Sequence, residues 1–389
     1  MYVQNAEKQN HFPNDSSGKF IRKKQAMKIG ILTFHCAINY GAIMQSYGLQ
    51  EYLKKLGHEA YLLDYRPECI IKNYRIFRWH WSESHSLQYN TISLIRELLV
   101  LPKRLLRNYR FKRFSEKNIR LLSFNEESLD LDAIITGSDQ IWNSFLTNGF
   151  DKIYFGQFPS AENKLLLSYA ASAGNNNSLN SNEDELRDLL SSYKAIGVRE
   201  NSLYQYLCDI VNPNLLTVTL DPVLLAGKEV YERHLKSTRK NKPYLLVFQL
   251  SYDDKLRASS VAKIIAKQKG LEVVEMTSSS ESLKNKDLLT IESPENFITL
   301  FHEASYVVTT SFHGTAFSIL FEKDFNAVSL DDQTSERINN LLETLGITER
   351  MVDKIEEITT TPISYNQINI RLDELRLHSE YFLKSSLIR

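Results

Sequence analysis

The chain has 389 residues, with 47 Lys+Arg against 47 Asp+Glu, so its formal charge is zero. That length fits two or three domains of about 100–200 residues each. The missing basic excess argues against a dedicated nucleic-acid binder, and no apolar run reaches the ~18–20 residues of a membrane span.

Residues 1–26 are polar, lack the apolar core of a signal peptide and read as a disordered extension whose removal leaves activity unchanged. Met27 opens the first clean strand, MKIGILT, and could be the initiator. A loop, FHCAINYG, leads into the helix AIMQSYGLQEYLKKLG, which ends on Gly57, and AYLLDY (60–65) is a second strand. Strand, helix, strand in that order implies a parallel sheet. Residues 66–113 are basic, with eleven Lys/Arg against three Glu. Within them KRLLRNYRFKRF (103–114) reads as a helix. Its charges fit either a solvated face or a surface that attracts anionic lipid headgroups, and hence peripheral membrane contact.

Further strands are expected at 131–139, 164–172, 194–200 and 217–225, with a helix over 183–193. The charged stretch 226–242 reads as an inter-domain linker. A second series follows, with strands at 243–251, 271–277, 306–311 and 325–330. Its helices are expected at 254–269, at 293–305 behind a Ser293 cap, and directly after the FHG turn. The last stretch, 366–389, reads as an amphipathic C-terminal helix. The chain is therefore expected to be α/β, with two doubly wound domains (27–225 and 243–365) facing a central cleft. In such sheets ligands lie at the carboxyl ends of the strands, which singles out the loops FHCAINYG, TGSDQIWN, GVRE, LDP and TTSFHG.

In TTSFHGTAF a strand runs through small residues into a helix start, a setting that favours an anion such as phosphate. Ser311, Gly314 and Thr315 belong to that turn, and His313 at its mouth could bind phosphate or carry a proton. Arg199 is a fork for a carboxylate or phosphate, or else the partner of Glu200. Asp139 with Gln140, Trp142 and Asn143 reads either as a sugar-binding group or as a capping Asp beside a core Trp. Asn39 and Tyr40 stand where a sugar- or phosphate-binding turn would open the first helix. No GxGxxG, Walker, HExxH or GxSxG pattern occurs. The three cysteines (Cys36, Cys69, Cys208) and nine scattered His suggest no metal site and a reducing, cytoplasmic setting.

Taken in order, MKIGILTFHCAINYGAIMQSYG, ITGSDQIWN, SYAASAG, AIGVREN, LDPVLL and VVTTSFHGTAFSILF resemble the polysaccharide pyruvyl transferase family. TSERINNLLETLGI is similar to that family's late segment, so the resemblance runs from about Met27 to Met351. It implies a GT-B-like fold of two Rossmann-like halves, with a 27–225 domain on the acceptor side and a 243–365 domain on the phosphoenolpyruvate side. It implies a transferase that moves pyruvate from phosphoenolpyruvate to two hydroxyls of a saccharide as a cyclic ketal. The products would be capsular, exopolysaccharide or cell-wall glycans, with an acceptor that is often lipid-linked. Phosphoenolpyruvate would be the co-substrate, with no further cofactor. The resemblance implies donor roles for His313 and Arg199, and Asp139 is the second catalytic candidate. Several members carry an Arg two residues before that His. Ser311 stands there in this chain, and Arg337 could supply the cation. Two other readings are a GT-B-type glycosyltransferase using a nucleotide sugar and a non-catalytic glycan-assembly protein.

Overall fold

The computed structural model describes residues 26–174, 176–179, 182–237, 242–249, 255–277, 289–330 and 333–388. The polar extension 1–26 lies outside the described residues but for Ala26. The first half runs β1 (Lys28–Leu32), α1 (Tyr40–Lys55), β2 (Glu59–Leu63), α2 (Glu68–Ile71), α3 (Leu87–Asn118), β3 (Leu121–Leu122) and β4 (Ala133–Thr136). It continues with α4 (Ser144–Thr147), β5 (Leu165–Ala171), α5 (Glu183–Leu190), β6 (Ala195–Val198), α6 (Asn201–Cys208), β7 (Leu216–Val218), α7 (Pro222–Ala226) and α8 (Lys228–Glu232). The second half runs β8 (Tyr244–Gln249), α9 (Lys255–Lys269), β9 (Glu272–Thr277), α10 (Pro294–Glu303), β10 (Tyr306–Thr309) and α11 (Phe312–Leu320). It ends with β11 (Phe325–Val328), α12 (Gln333–Leu345), β12 (Met351–Val352) and α13 (Tyr365–Ser386).

Both sheets are parallel throughout, in the orders β3-β2-β1-β4-β5-β6-β7 and β12-β11-β10-β8-β9. Their inner strands are covered on both faces, so β4 (AIIT) and β8 (YLLVFQ) are buried at every position. Such strands must be apolar on both sides, which is why they read as continuous hydrophobic runs. In each sheet the chain order reverses beside the first strand, β1 or β8. Those switch points open a crevice at the strand ends, and the architecture is the GT-B-like pair of Rossmann-like halves expected.

One core cluster spans both halves. Tyr40 of α1 stacks on Phe297 of α10 at 4.8 Å, and Tyr231 of α8 meets Phe317 of α11 edge-on at 5.1 Å. Tyr231 is fully buried, so the stretch read as a linker starts as packed helix; residues 238–241 within it lie outside the described residues. The last helix ties the halves together. Arg371 donates to the Leu345 carbonyl at 2.7 Å, and two turns later Ser379 Oγ accepts from the Leu220 N–H at 2.9 Å.

Three local expectations change. The segment LDPVLL is not strand: Asp221 caps α7, accepting from the Val223 N–H at 2.9 Å, with Pro222 in the first turn where its missing N–H costs nothing. The basic helix extends well beyond 103–114 at its N-terminal end, and β3, two residues long, joins the sheet edge. No described helix is long and apolar enough to cross a membrane.

Candidate active site

Two helix starts, one from each half, meet at the cleft. On α1, Asn39 Oδ1 accepts from the N–H groups of Gly41 (2.8 Å) and Ala42 (3.3 Å). On α11, Ser311 Oγ accepts from the Gly314 N–H at 3.3 Å, while the Ser311 N–H donates to Thr309 Oγ1 at 3.1 Å. These caps satisfy donors that a helix start otherwise leaves open. The imidazole of His313 lies so close against the first turn of α1 that a Cβ on Gly41 would stand 2.2 Å from its Nδ1. Beside it opens a cavity of about 230 Å³ lined by Asn39, Tyr74, Asp139, Gln140, Ser311, His313 and Arg337, among others.

Behind the cavity stands a buried charged cluster. Arg199 Nε donates to Glu200 Oε1 and its Nη1 to Asp221 Oδ2, both at 3.0 Å, with only 3% of the Arg199 side chain exposed. Its Nη2 is buried without a hydrogen-bond partner. Burial works against the charge of Arg199, but Glu200, Asp221 and Asp139 outweigh it and raise its pKa above the ordinary arginine value. Asp221 Oδ2 also receives Ser138 Oγ at 3.4 Å and stands 3.8 Å from His313 Nε2.

His313 Nε2 is likewise buried without a hydrogen-bond partner. Burial lowers the pKa of His313 below its ordinary 6.5, with Arg199 and Arg337 pushing the same way against Asp221 and Asp139. The imidazole is therefore neutral at neutral pH, able to accept or donate according to its tautomer. Phe312 divides the site. The guanidinium of Arg199 lies 4.5 Å from its ring centre and that of Arg337 lies 6.0 Å away. The Gln140 amide, with its oxygen turned to Arg337, accepts from both Nη atoms at 3.2 and 3.3 Å.

Of the residues singled out from the sequence, Asn39, Asp139, Gln140, Ser311, His313 and Arg337 line the cavity. Asp139 sits there with φ +74, its Oδ1 accepting from the Gln140 N–H at 2.9 Å. Arg199 lies on the far side of Phe312, in a smaller cavity of about 50 Å³ shared with Glu200, Asp221 and Arg337. Arg199 pairs with Glu200, the alternative the sequence offered, and keeps Nη2 without a hydrogen-bond partner.

Five other residues singled out from the sequence do not line the cavity. Trp142 is fully buried, stacked on Phe155 at 5.3 Å and met edge-on by Tyr193, so neither ring face is open to a sugar. Tyr40 is fully buried in the shared core, and its hydroxyl donates to the Glu292 carbonyl at 2.8 Å. Asn143 is buried and caps α4, accepting from the Phe145 N–H at 3.0 Å. Gly314 packs α11 onto β10, where a Cβ would stand 2.1 Å from Thr309 Oγ1. Thr315 is fully buried, its hydroxyl donating back to the Ser311 carbonyl at 3.2 Å.

Three other residues belong to the site. Asn73 and Tyr74, from the segment after α2, line the cavity, and burial pushes the Tyr74 phenol up to about 12. No periodicity marks them. Gly41 gives His313 its room, and a glycine in the first turn of a long helix, against its low helix propensity, was the available signal. Among the described residues no group of three or more His, Cys, Asp or Glu could hold a metal ion.

The family described as polysaccharide pyruvyl transferase matches residues 39–332 of the chain. No curated protein matches it. Among solved structures, the UDP-GlcNAc 2-epimerase from Methanocaldococcus jannaschii is 12% identical with a TM-score of 0.47, over 91% of this chain and 100% of that one. The UDP-GlcNAc 2-epimerase from Neisseria meningitidis, bound to UDP-GlcNAc, is 14% identical with a TM-score of 0.45, over 93% of this chain and 95% of that one.

Proposed function

The chain belongs to the polysaccharide pyruvyl transferase family, and we propose that it transfers pyruvate from phosphoenolpyruvate to two hydroxyls of a saccharide as a cyclic ketal, releasing phosphate. The observation that carries this reading is a pair of buried nitrogens, His313 Nε2 and Arg199 Nη2, each without a hydrogen-bond partner on either side of Asp221. Buried polar nitrogens left unpaired are costly, and the substrates would remove that cost, an anion accepting from Arg199 Nη2 and a saccharide hydroxyl donating to His313 Nε2. Phosphoenolpyruvate brings a phosphate and a carboxylate to Arg337, Arg199, His313 and the capped start of α11, with Ser311 where several relatives carry Arg. The saccharide takes the opposite wall, against Asn39, Asn73, Tyr74, Asp139 and Gln140.

The proton balance suits these groups. Of the two hydroxyl protons, one ends on C3 and turns the methylene into a methyl; the other leaves on the phosphate. Nothing net is consumed, so the site has to pass protons rather than supply them. Neutral His313 can accept at Nε2 and give the proton back, and Asp139 is the second exchanging group. As C2 gains positive character, the carboxylates of Asp139 and Asp221 stabilise it. That gives a reason for setting three carboxylates (Asp139, Glu200, Asp221) beside two arginines in a site for an anion. The products would serve capsular, exopolysaccharide or cell-wall glycans made in the cytoplasm, on free or lipid-linked acceptors.

The test is incubation with phosphoenolpyruvate and a panel of glycosides, following phosphate release and acceptor mass. A mass gain of one pyruvate less water is expected. Tight nucleotide-sugar binding with no such gain across the panel would replace the reading with a glycosyltransferase.

A further inference from the structure

The long helix α3 buries one face and leaves the opposite one bare and apolar. Asn90, Val100, Arg107, Phe111 and Phe114 point into the protein. On the other side Ile92, Ile95, Leu99, Leu106 and Tyr109 follow one stripe at three-, four- and seven-residue steps, with Leu98 and Leu105 beside it. These side chains are exposed, Leu99 by 73% and Tyr109 by 60%. Exposed Ile76, Phe77 and Trp81 extend the patch, and their segment is fastened to α3 by Arg104 donating to the Ile76 carbonyl at 3.1 Å and Trp79 Nε1 to the Asn90 carbonyl at 3.2 Å. A soluble surface rarely keeps so continuous an apolar stripe without a partner.

The charges say which partner. Residues 87–113 hold seven Lys/Arg and a single carboxylate, Glu97, which pairs with Arg104. Arg96, Lys103 and Arg110 recur every seven residues along one edge of the stripe, so they share one side of the helix. A second copy of this face would set like charges against each other, and a neutral apolar partner would gain nothing from the helix's excess of positive charge, to which Arg110 contributes although it also donates to the Ile291 carbonyl at 2.6 Å. We propose that α3 and the 76–81 segment dock on an anionic lipid bilayer, with the apolar stripe among the acyl chains and the basic edge at the headgroups. Trp81, Tyr89 and Tyr109 add the rings that settle at such an interface.

The patch is continuous with the cleft. Asn73 and Tyr74 line the cavity, and Ile76 and Phe77 follow within a few residues, at most ~3.6 Å of chain each. Docking therefore brings the bilayer to the acceptor wall. On the pyruvyl-transfer reading, on which this last step rests, the saccharide is presented on a membrane lipid.

The full chain is sedimented with vesicles of phosphatidylcholine alone or mixed with phosphatidylglycerol. Binding is expected only to the mixed vesicles and should weaken by about tenfold or more between low and high salt. Ile95→Asp and Leu99→Asp, both at exposed positions, should abolish it while leaving helix content and transfer to a water-soluble glycoside unchanged. Equal binding to both vesicles, no binding to either, or a stable dimer that Leu99→Asp dissociates would each overturn the proposal. A protein that binds the mixed vesicles but transfers no pyruvate would leave the docking standing and remove the functional reading instead.

Discussion

The starts of α1 and α11 are built alike and do different work. Each has a polar cap, an aromatic residue in first position and a glycine in the first turn. On α11 the aromatic residue, Phe312, lies under two guanidinium groups, and Gly314 makes room for Thr309 of the preceding strand. On α1 the aromatic residue, Tyr40, is sealed in the shared core, and Gly41 makes room for His313 of the other half. One glycine serves local packing and the other lets the two halves close on each other. The same residue type at the same place in a helix therefore teaches nothing of its role until its spatial neighbour is known.

The sharpest way to break the comparison is His313→Asn. Loss of a proton-transferring group should lower pyruvyl transfer by ~10²–10⁴-fold, with circular dichroism unchanged; a loss under tenfold would remove His313 from the chemistry. Arg199→Ala should weaken donor binding and act on the fold as well. It leaves Glu200 and Asp221 buried and uncompensated, which costs about 3–5 kcal/mol. Urea unfolding checks this, and an unchanged midpoint would show the cluster to be solvated.

The glycine pair gives the third test. Gly314→Ala should lower stability by about 1–3 kcal/mol through overpacking. Gly41→Ala should cost a similar amount through overpacking and in addition displace the imidazole and lower kcat/KM, an activity loss that Gly314→Ala does not share. If both variants lose stability and activity in equal measure, the distinction between the two helix starts fails.

The smallest effect concerns pH. The pKa of His313 in the fold lies below 6.5 because burial favours the neutral ring. The unfolded chain therefore binds the proton more readily, and the neutral ring's contribution is present above about 6.5 and lost as pH falls through the folded value. Wild type should lose its margin over His313→Asn on acidification, and saturating phosphoenolpyruvate should restore it by pairing the imidazolium with phosphate. Parallel pH–stability curves with and without the donor would contradict this.

The sequence by itself determined the α/β class, the two parallel series and the loops that carry the site. Doubly covered strands such as β4 and β8 must be apolar throughout, helices must be capped, and ligands must lie where strands end; each is a local or topological requirement written along the chain. Two-residue β3 and the short helix at LDPVLL escaped because so short a segment has no period. Tertiary structure decided which way each loop side chain turns. Trp142 follows three residues after a cavity-lining Asp139 yet stacks on Phe155, and Tyr40 points into the other half rather than at a sugar. Asn73 and Tyr74 reach the cavity from a segment with no pattern at all. The meeting of Gly41 with His313, and of Arg199 with Asp221, joins residues far apart in the chain. Strand pairing of β6 with β7 sets Arg199 beside Asp221, whereas only the packing of one half against the other brings Gly41 and His313 within reach.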